Sequence, residues 1–392
     1  MDNIETRQRH RFWVLVIIVS ISGFSQGMLL PLISAIFEQD GISGTLNGLN
    51  ATGLYIGTLL ISPFMEAPLR KFGYKPVIIA GGLIVMISLL AFPLWKSVLF
   101  WFVLRLFIGI GDHALHFATQ TWVTSTVSPD RLGKSISIYG LSVGVGFAVG
   151  PLFVPLVSIN EGLPFIVSAF LTLCAWGLVF TLKNDLPEVM SGTASAGHFG
   201  KRAIATILVA WVALLGPFAY GFLESSLNAM FPVFALRNGI PLTMVSIIIP
   251  AFAFGGILSQ IPLGILSDKI GRRPVLLLGL GGGMLAFTGA ALLSSYAFAI
   301  MAMFFIGGVF SGSLFSLGVA YMSDLTPKHL LPTGNLLCGI FFSFGSLTGP
   351  ILGGYVLEAH QKSYLFLFGL LLGILFLLTM TGKKSMRHRA SK

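Results

Sequence analysis

The sequence predicts an all-α integral membrane protein of twelve transmembrane helices, arranged as two pseudo-symmetric six-helix bundles, and three observations predict it. The first is composition: 55% of the 392 residues are hydrophobic and only 10% are charged. Thirty-eight charged side chains (24 basic plus 14 acidic) cannot coat a globule of this size, so most of its surface must face lipid. Soluble enzymes and disordered chains are excluded by the same balance. The second is a series of twelve apolar segments, each close to the roughly 20 residues that a helix needs to cross the hydrocarbon core. The third is an internal repeat at an offset of 198 or 199 residues.

In chain order the spans begin near Phe12, Leu46, Pro76, Val98, Gly133, Leu163, Ala203, Met244, Pro274, Ala297, Pro332 and Ser363. Span one follows Arg7, Arg9 and Arg11, exceeds a signal-peptide core in length and has no clear small-residue cleavage site, so it reads as retained. Span ten is rich in Gly and Ser. An even number of spans puts both termini on one side. With that side cytoplasmic, twenty Lys and Arg fall in cytoplasmic segments, against Lys96, Arg237 and Lys362 outside and Arg105 inside a span. This positive-inside asymmetry fixes the orientation and explains the net charge of +10 without nucleic acid. The expected setting is the inner (cytoplasmic) membrane, as a multi-pass monomer with short solvated basic tails. Cys174 and Cys338 lie in apolar stretches half a chain apart, which speaks against a disulfide framework or a metal site and reads as two small core residues.

The stretch 184–200, rich in Gly, Ser, Thr and Ala, is the long polar linker that divides the spans six and six. The expected domains are therefore an N-terminal bundle over 1–183, a cytoplasmic linker over 184–202 and a C-terminal bundle over 203–392. Sliding the chain on itself aligns Gly23-Phe24 with Gly221-Phe222, Gly41 with Gly239 and Phe72-Gly73 with Ile270-Gly271. The same register carries Phe107-Ile108-Gly109 onto Phe305-Ile306-Gly307 and Gly150-Pro151 onto Gly349-Pro350. So many matches at one offset imply a duplicated six-helix unit, the kind of repeat on which transporters are built.

Between spans eight and nine the chain carries Gly264, Asp268 and the run Gly271-Arg272-Arg273. After span two the loop recurs with Glu66, Arg70, Lys71 and Gly73, and Arg70 stands where the aspartate is expected. Span five contains Gly146, Gly150 and Pro151; span eleven contains Gly345, Gly349, Pro350, Gly353 and Gly354. Glycines four apart let two backbones approach closely, and the proline bends the helix. Twelve spans, the duplication and these motifs together resemble the major facilitator superfamily over the whole chain. The resemblance implies that family's fold, with no cofactor. It also implies a gate in which Asp268, with Gly271, Arg272 and Arg273, engages the amino end of a helix in the opposite half and releases it on switching. In the first copy Glu66, beside Gly73, either stands in for the aspartate or simply pairs with Arg70 at i,i+4. Gly146, Gly150 and Pro151 are similar to the antiporter motif of drug exporters, with Val154-Pro155 replacing its closing Gly-Gly, which favours the exporter reading; close packing alone is the alternative.

Span four holds the densest cluster of ionisable groups at membrane depth: Arg105, Asp112, His113 and His116. Such groups are costly in lipid and should face a cavity or one another. At 100° per residue Arg105, Asp112, His116 and Gln120 fall within about 80° of arc, with Thr119 at the border. Arg105, with Gly109 and Gly111, is similar to a family element linked to proton coupling. Asp112 and His116, about 6 Å apart, can exchange a proton near neutral pH, the alternative being a network that only positions helices. A metal reading is weak, because His113 points about 100° away from Asp112. In span seven Glu224 is flanked one turn away by Tyr220 and Asn228, and its counterpart in the repeat is Gln26. Holding Glu224 as an anion in mid-membrane costs about 3 kcal/mol, which suits a proton carrier, a cation receptor, or a protonated interhelical hydrogen bond. Trp122, Tyr139, Phe147 and Phe231 lie near these stripes as candidate walls of an amphipathic cavity.

The function these residues imply is secondary active transport of a small organic molecule, by proton-coupled efflux with alternating access of two rocking bundles. One proton crossing about 150 mV supplies roughly 3.4 kcal/mol, enough for a substrate gradient of about 300-fold. No phosphate-cradling loop and no nucleophile arrangement is present, so the chain reads as neither nucleotide-driven nor an enzyme. The alternatives are a proton symporter importing a polar metabolite and, in another class, a non-transporting receptor or scaffold.

Overall fold

The computed structural model describes residues 2–127, 129–187 and 199–381, and among them every regular element is a helix. Span one is α1 (Asp2–Gln39); span two is broken into α2 (Gly44–Ala51), α3 (Gly53–Ile61) and α4 (Glu66–Phe72). The last break falls at Pro63, which opens a short 3-10 turn and cannot donate to a continuing helical ladder. Spans three and four are α5 (Tyr74–Ala91) and α6 (Val98–Thr126). Span five is α7 (Pro129–Val149), prolonged as 3-10 turns to Ser158 where Pro151 and Pro155 interrupt the α pattern. Span six is α8 (Leu163–Val179).

The second half repeats the plan with α9 (Phe199–Arg237), α10 (Leu242–Ile270), α11 (Arg272–Leu292), α12 (Ala297–Ser311) with α13 (Leu314–Leu325), α14 (Leu331–His360) and α15 (Tyr364–Met380). The Gly-rich and Ser-rich tenth span is the one that splits, at Gly312-Ser313. Observed starts lie within four residues of the expected ones except at α1, and α9 likewise begins ahead of its apolar stretch. There the helix continues beyond the apolar stretch, because polar residues propagate a helix in water as well as in lipid.

Contacts divide the chain into two compact units, one of Met1–Ile36 with Leu49–Val189 and one of Phe37–Gly48 with Met190–Lys392. The C-terminal end of span one and the start of span two thus belong to the unit built mainly from the second half. Asn184 and Asp185 are part of the first unit rather than of a free linker. Asn184 accepts from Lys75 N at 3.1 Å and donates to Phe72 O at 2.9 Å, and Tyr74 N donates to Asp185 O at 3.1 Å.

The duplication is written into the backbone. Among the described residues positive φ occurs at Gly41 (74°), Gly73 (88°), Gly239 (72°) and Gly271 (98°), two pairs each 198 residues apart. An L-residue with a side chain pays roughly 1–2 kcal/mol in this conformation. Gly271→Ala is therefore expected to destabilise the protein by about 1 kcal/mol. Gly264→Ala, in a helical turn where an added methyl meets nothing within 4 Å, should be neutral or stabilising. Thermal unfolding of the two variants side by side checks this, and an equal response at both positions contradicts it.

Several pairs of spans inside each unit meet backbone to backbone, among them spans one and five in the first and spans seven and eleven in the second. A methyl group on Gly23 or Gly27 of α1 would strike the carbonyls of Val143 or Phe147 on α7, and one on Gly146 or Gly150 would strike Ser20 or Phe24. In the second unit Gly221, Gly345 and Gly349 do the same between α9 and α14. Pro151 and Pro350 follow directly on these contacts.

Three expectations need correction. Trp122 is fully buried and stacked on Tyr74, with centroids 5.3 Å apart, and Phe231 is fully buried against Phe304 at 4.7 Å. Both are core residues of their own units rather than cavity walls, because large rings fill the space between converging helices. Cys174 is exposed, on the same face of α8 as Phe170 and Leu173, so only Cys338 is a core cysteine.

Candidate functional site

Asp112, at the middle of α6, is buried and receives hydrogen bonds from two side chains of α1. Ser22 Oγ donates to Oδ1 and Gln26 Nε2 donates to Oδ2. These donors sit one helical turn apart, so α1 presents both to one carboxylate. His116, one turn further along α6, lies with Nε2 3.7 Å from Asp112 Oδ2 and 3.0 Å from Ser22 Oγ. Its other nitrogen, Nδ1, is 3.1 Å from the hydroxyl of Tyr139 on α7, which lies 3.0 Å from Thr119 Oγ1. A continuous chain of exchangeable protons therefore joins carboxylate, hydroxyl, imidazole and phenol across three helices of the first unit. In a buried setting such a chain is electrostatically strong, and a change of charge at any member is felt by the rest.

The polar stripe read along span four does not act as one group. Arg105 is buried on the N-terminal third of α6 against α3, its Cβ 3.2 Å from where a methyl on Gly53 would stand, and takes no part in the network. Its two terminal nitrogens have no hydrogen-bond partner among the described residues. Gln120 is exposed, and the His113 ring lies beside Phe117 with centroids 6.3 Å apart. A helical wheel collapses the axis: Arg105 and Asp112 share an angle but are roughly 10 Å apart in depth, where different neighbours face them. Ser22 was not foreseen, although its i,i+4 spacing from Gln26 marks it, and Tyr139 emerges as a network member rather than a generic aromatic wall.

Glu224 belongs to the second unit, on α9, and its carboxylate has no hydrogen-bonding or ionic partner among the described residues. Asn228 donates instead to the Glu224 backbone carbonyl at 2.8 Å, and its own Oδ1 is buried without a partner. Gln26 and Glu224, counterparts in the repeat, thus differ in state: one is engaged by an acid and the other is an unengaged acid.

At the loop after α10, Asp268 pairs with Arg272 at 2.5 Å, and Arg272 reaches Asp324 at 3.5 Å. Arg273 donates to the carbonyls of Thr379 and Met380, closing the end of α15. In the first copy of the loop Glu66 pairs with Arg70. A further cluster that the sequence did not single out lies in the second unit. Arg237 holds Glu38 through two bonds of 2.7 and 3.0 Å and Glu358 through one of 2.7 Å. Glu358 in turn accepts from Gly44 N at 2.6 Å. Glu38 and Gly44 frame the segment Phe37–Gly48, which these contacts hold on α9 and α14.

Comparison with known proteins accords with this architecture. The model of the family described as the Major Facilitator Superfamily matches residues 15–223 and 213–390. The chain is 56% identical over 360 residues to a protein of Bacillus subtilis (strain 168) named "Uncharacterized MFS-type transporter YfkF", covering 92% of each. It is 25% identical over 400 residues to "Multidrug resistance protein 2" of the same organism, covering 98% of each. Among solved structures, a point mutant of the nucleoside transporter NupG superposes with a TM-score of 0.82 at 14% identity, over 95% of this chain and 99% of that one. A bacterial homologue of the human lysosomal transporter Spinster, in an inward-facing and unoccupied conformation, gives 0.73 at 15% identity over 96% and 97%.

Proposed function

The chain belongs to the major facilitator superfamily of membrane transporters, and on that footing we propose that it is a proton-coupled exporter of a small organic molecule. The observation that carries the reading is the Asp112 network: a buried carboxylate held by Ser22 and Gln26 and linked through His116 to Tyr139. Loading a proton at Asp112 removes the charge that organises Ser22, Gln26 and His116, which favours a second arrangement of α1 and α6. Proton movement and helix movement are thereby coupled in one element. Glu224, with no protein partner for its carboxylate, is the second titrating group and the anchor for a positively charged or hydrogen-bonding substrate; Asn228 Oδ1 offers an adjacent acceptor.

In this reading Asp268, Arg272 and Arg273 form the gate loop. The pairing of Asp268 with Arg272 is the local arrangement that alternates with engagement of the opposing helix end. Gly146 with Pro151, and Gly349 with Pro350, form the packed pivots on which the bundles turn. Export is supported by the drug-exporter motif in span five and by the name of the multidrug relative. Both termini are cytoplasmic and the protein acts as a monomer in the cytoplasmic membrane.

Inside-out vesicles with an acid lumen are expected to accumulate a lipophilic cation such as ethidium when the chain is present. Accumulation on the cytoplasmic face, driven by protons flowing inward, would instead make it an importer. Glu224→Gln is expected to abolish gradient-driven uptake at unchanged protein yield; full driven activity in that variant removes Glu224 from the mechanism.

A further inference from the structure

We infer that the first unit carries, at the end where its chain begins, a binding site for a phosphate-bearing anion, filled in the membrane by the headgroup of an anionic phospholipid. The first turns of α1 and the chain leaving α8 enclose a cavity of about 200 Å³. Arg7, His10 and Arg11 line it from one side, and Lys183 and Asp185 from the other. Three full cations against one anion leave a net charge of +2 on the walls.

The walls are built rather than incidental. Arg11 pairs with Asp185 at 2.5 Å and lies over the Trp122 ring at 5.4 Å, while Trp122 Nε1 donates to the same carboxylate at 3.1 Å. His10 Nε2 is 3.1 Å from Thr181 Oγ1, tying the other edge of α1 to the end of span six. Lys75 Nζ covers the carbonyls of Phe180 and Leu182 at 3.2 and 2.7 Å. The negative partial charge with which α8 would otherwise end is thus neutralised and does not repel an anion there.

What remains uncompensated is Arg7 and Lys183, neither of which has an acidic partner among the described residues. Arg7 and Arg11 stand at i,i+4, an unfavourable spacing for like charges that an anion between them relieves. The depth is right for a headgroup. Trp13, 47% exposed, and Phe180, 54% exposed, present large rings to the surroundings within one turn of the cavity, as residues at a membrane interface do. Basic pockets at that level suit the phosphate of an anionic lipid, with the backbone phosphodiester or a free phosphate offering the same oxygens.

The inference takes its leaflet from the proposed orientation but nothing from the transport mechanism, so its test has no transport readout. The purified full chain in mild detergent is offered equal phosphatidylglycerol and phosphatidylcholine, and retained lipid is counted by native mass spectrometry. One phosphatidylglycerol should be kept with a preference of about tenfold, since each nearby basic residue contributes to anionic-lipid affinity. Arg7→Gln with Lys183→Gln should erase the preference, and Arg7→Lys with Lys183→Arg should retain it at equal yield. If millimolar inorganic phosphate displaces the lipid, the anion site stands and its natural ligand is the soluble ion; if not, the ligand is the lipid. Equal retention of both lipids by the unaltered chain, or an undiminished preference in the double glutamine variant, overturns the site.

Discussion

Replacing Asp112 by asparagine is expected to lower proton-driven transport by about 100-fold or more, the scale of a lost proton-transfer group. The substitution keeps the shape of the side chain, so the helices still fit. It changes what the side chain can accept. Ser22 and Gln26 both point donors at the carboxylate, and His116 lies beside the same oxygen that Gln26 uses. An amide offers one acceptor where two are needed and presents its own N–H groups to a donor, leaving a buried mismatch worth about 1–3 kcal/mol. More important, it holds one charge state permanently. Substrate exchange between two equal pools needs no proton and should persist within a few-fold of the unaltered protein, while uptake against a gradient disappears. Gradient-driven uptake at an undiminished rate would take Asp112 out of the coupling.

The second large effect is expected at Arg237. Changing it to glutamine removes the cation shared by Glu38 and Glu358 and leaves two carboxylates facing one another around Gly44. Both pairs are only partly buried, so the loss is set at about 1–3 kcal/mol rather than at the figure for a buried triad. That is enough to shift a two-state population by roughly 5- to 150-fold. Because Glu38 and Gly44 belong to the segment Phe37–Gly48, its attachment to α9 and α14 is what weakens. Spin labels at positions 42 and 355 should report a broadened, longer distance distribution in the variant. An unchanged distribution would mean that the glycine contacts of Gly44 and Gly48 with Gly354 and Pro350 hold the segment unaided.

Much of the fold was legible because the signals that specify it are local and repeated. Gly41, Gly73, Gly239 and Gly271 aligned at one offset in the sequence and all four adopt the left-handed backbone that glycine alone takes readily. Glycines at four-residue spacing announced close helix contacts, and the contacts are there. The site was legible in part. Asp112 and His116 lie on one helix, and their spacing is their geometry. The partners on α1 and α7 are single polar residues in apolar spans, and nothing in a linear string says which of Ser20, Ser22 and Ser25 will meet an acid ninety positions later. Arg105 and Gln120 were drawn in by angle alone, since a wheel projection carries no information on depth or on which neighbour covers each turn. The Glu38, Arg237 and Glu358 cluster was missed for a related reason: three isolated charges near loop ends look like ordinary solvated groups until the chain brings them within bonding distance.

The backbone contact between α1 and α7 has a mechanical consequence. Gly23 and Gly27 sit in direct apposition to α7, so these two rods cannot slide past one another without opening a gap at van der Waals distance. Ser22 and Gln26 ride on one rod and Tyr139 on the other, gripping the two ends of the same acid-imidazole string. On the proposed coupling, a single proton arriving at that string would pull on a beam two helices thick, and its stroke would be carried along both helices instead of dissipating in one side chain.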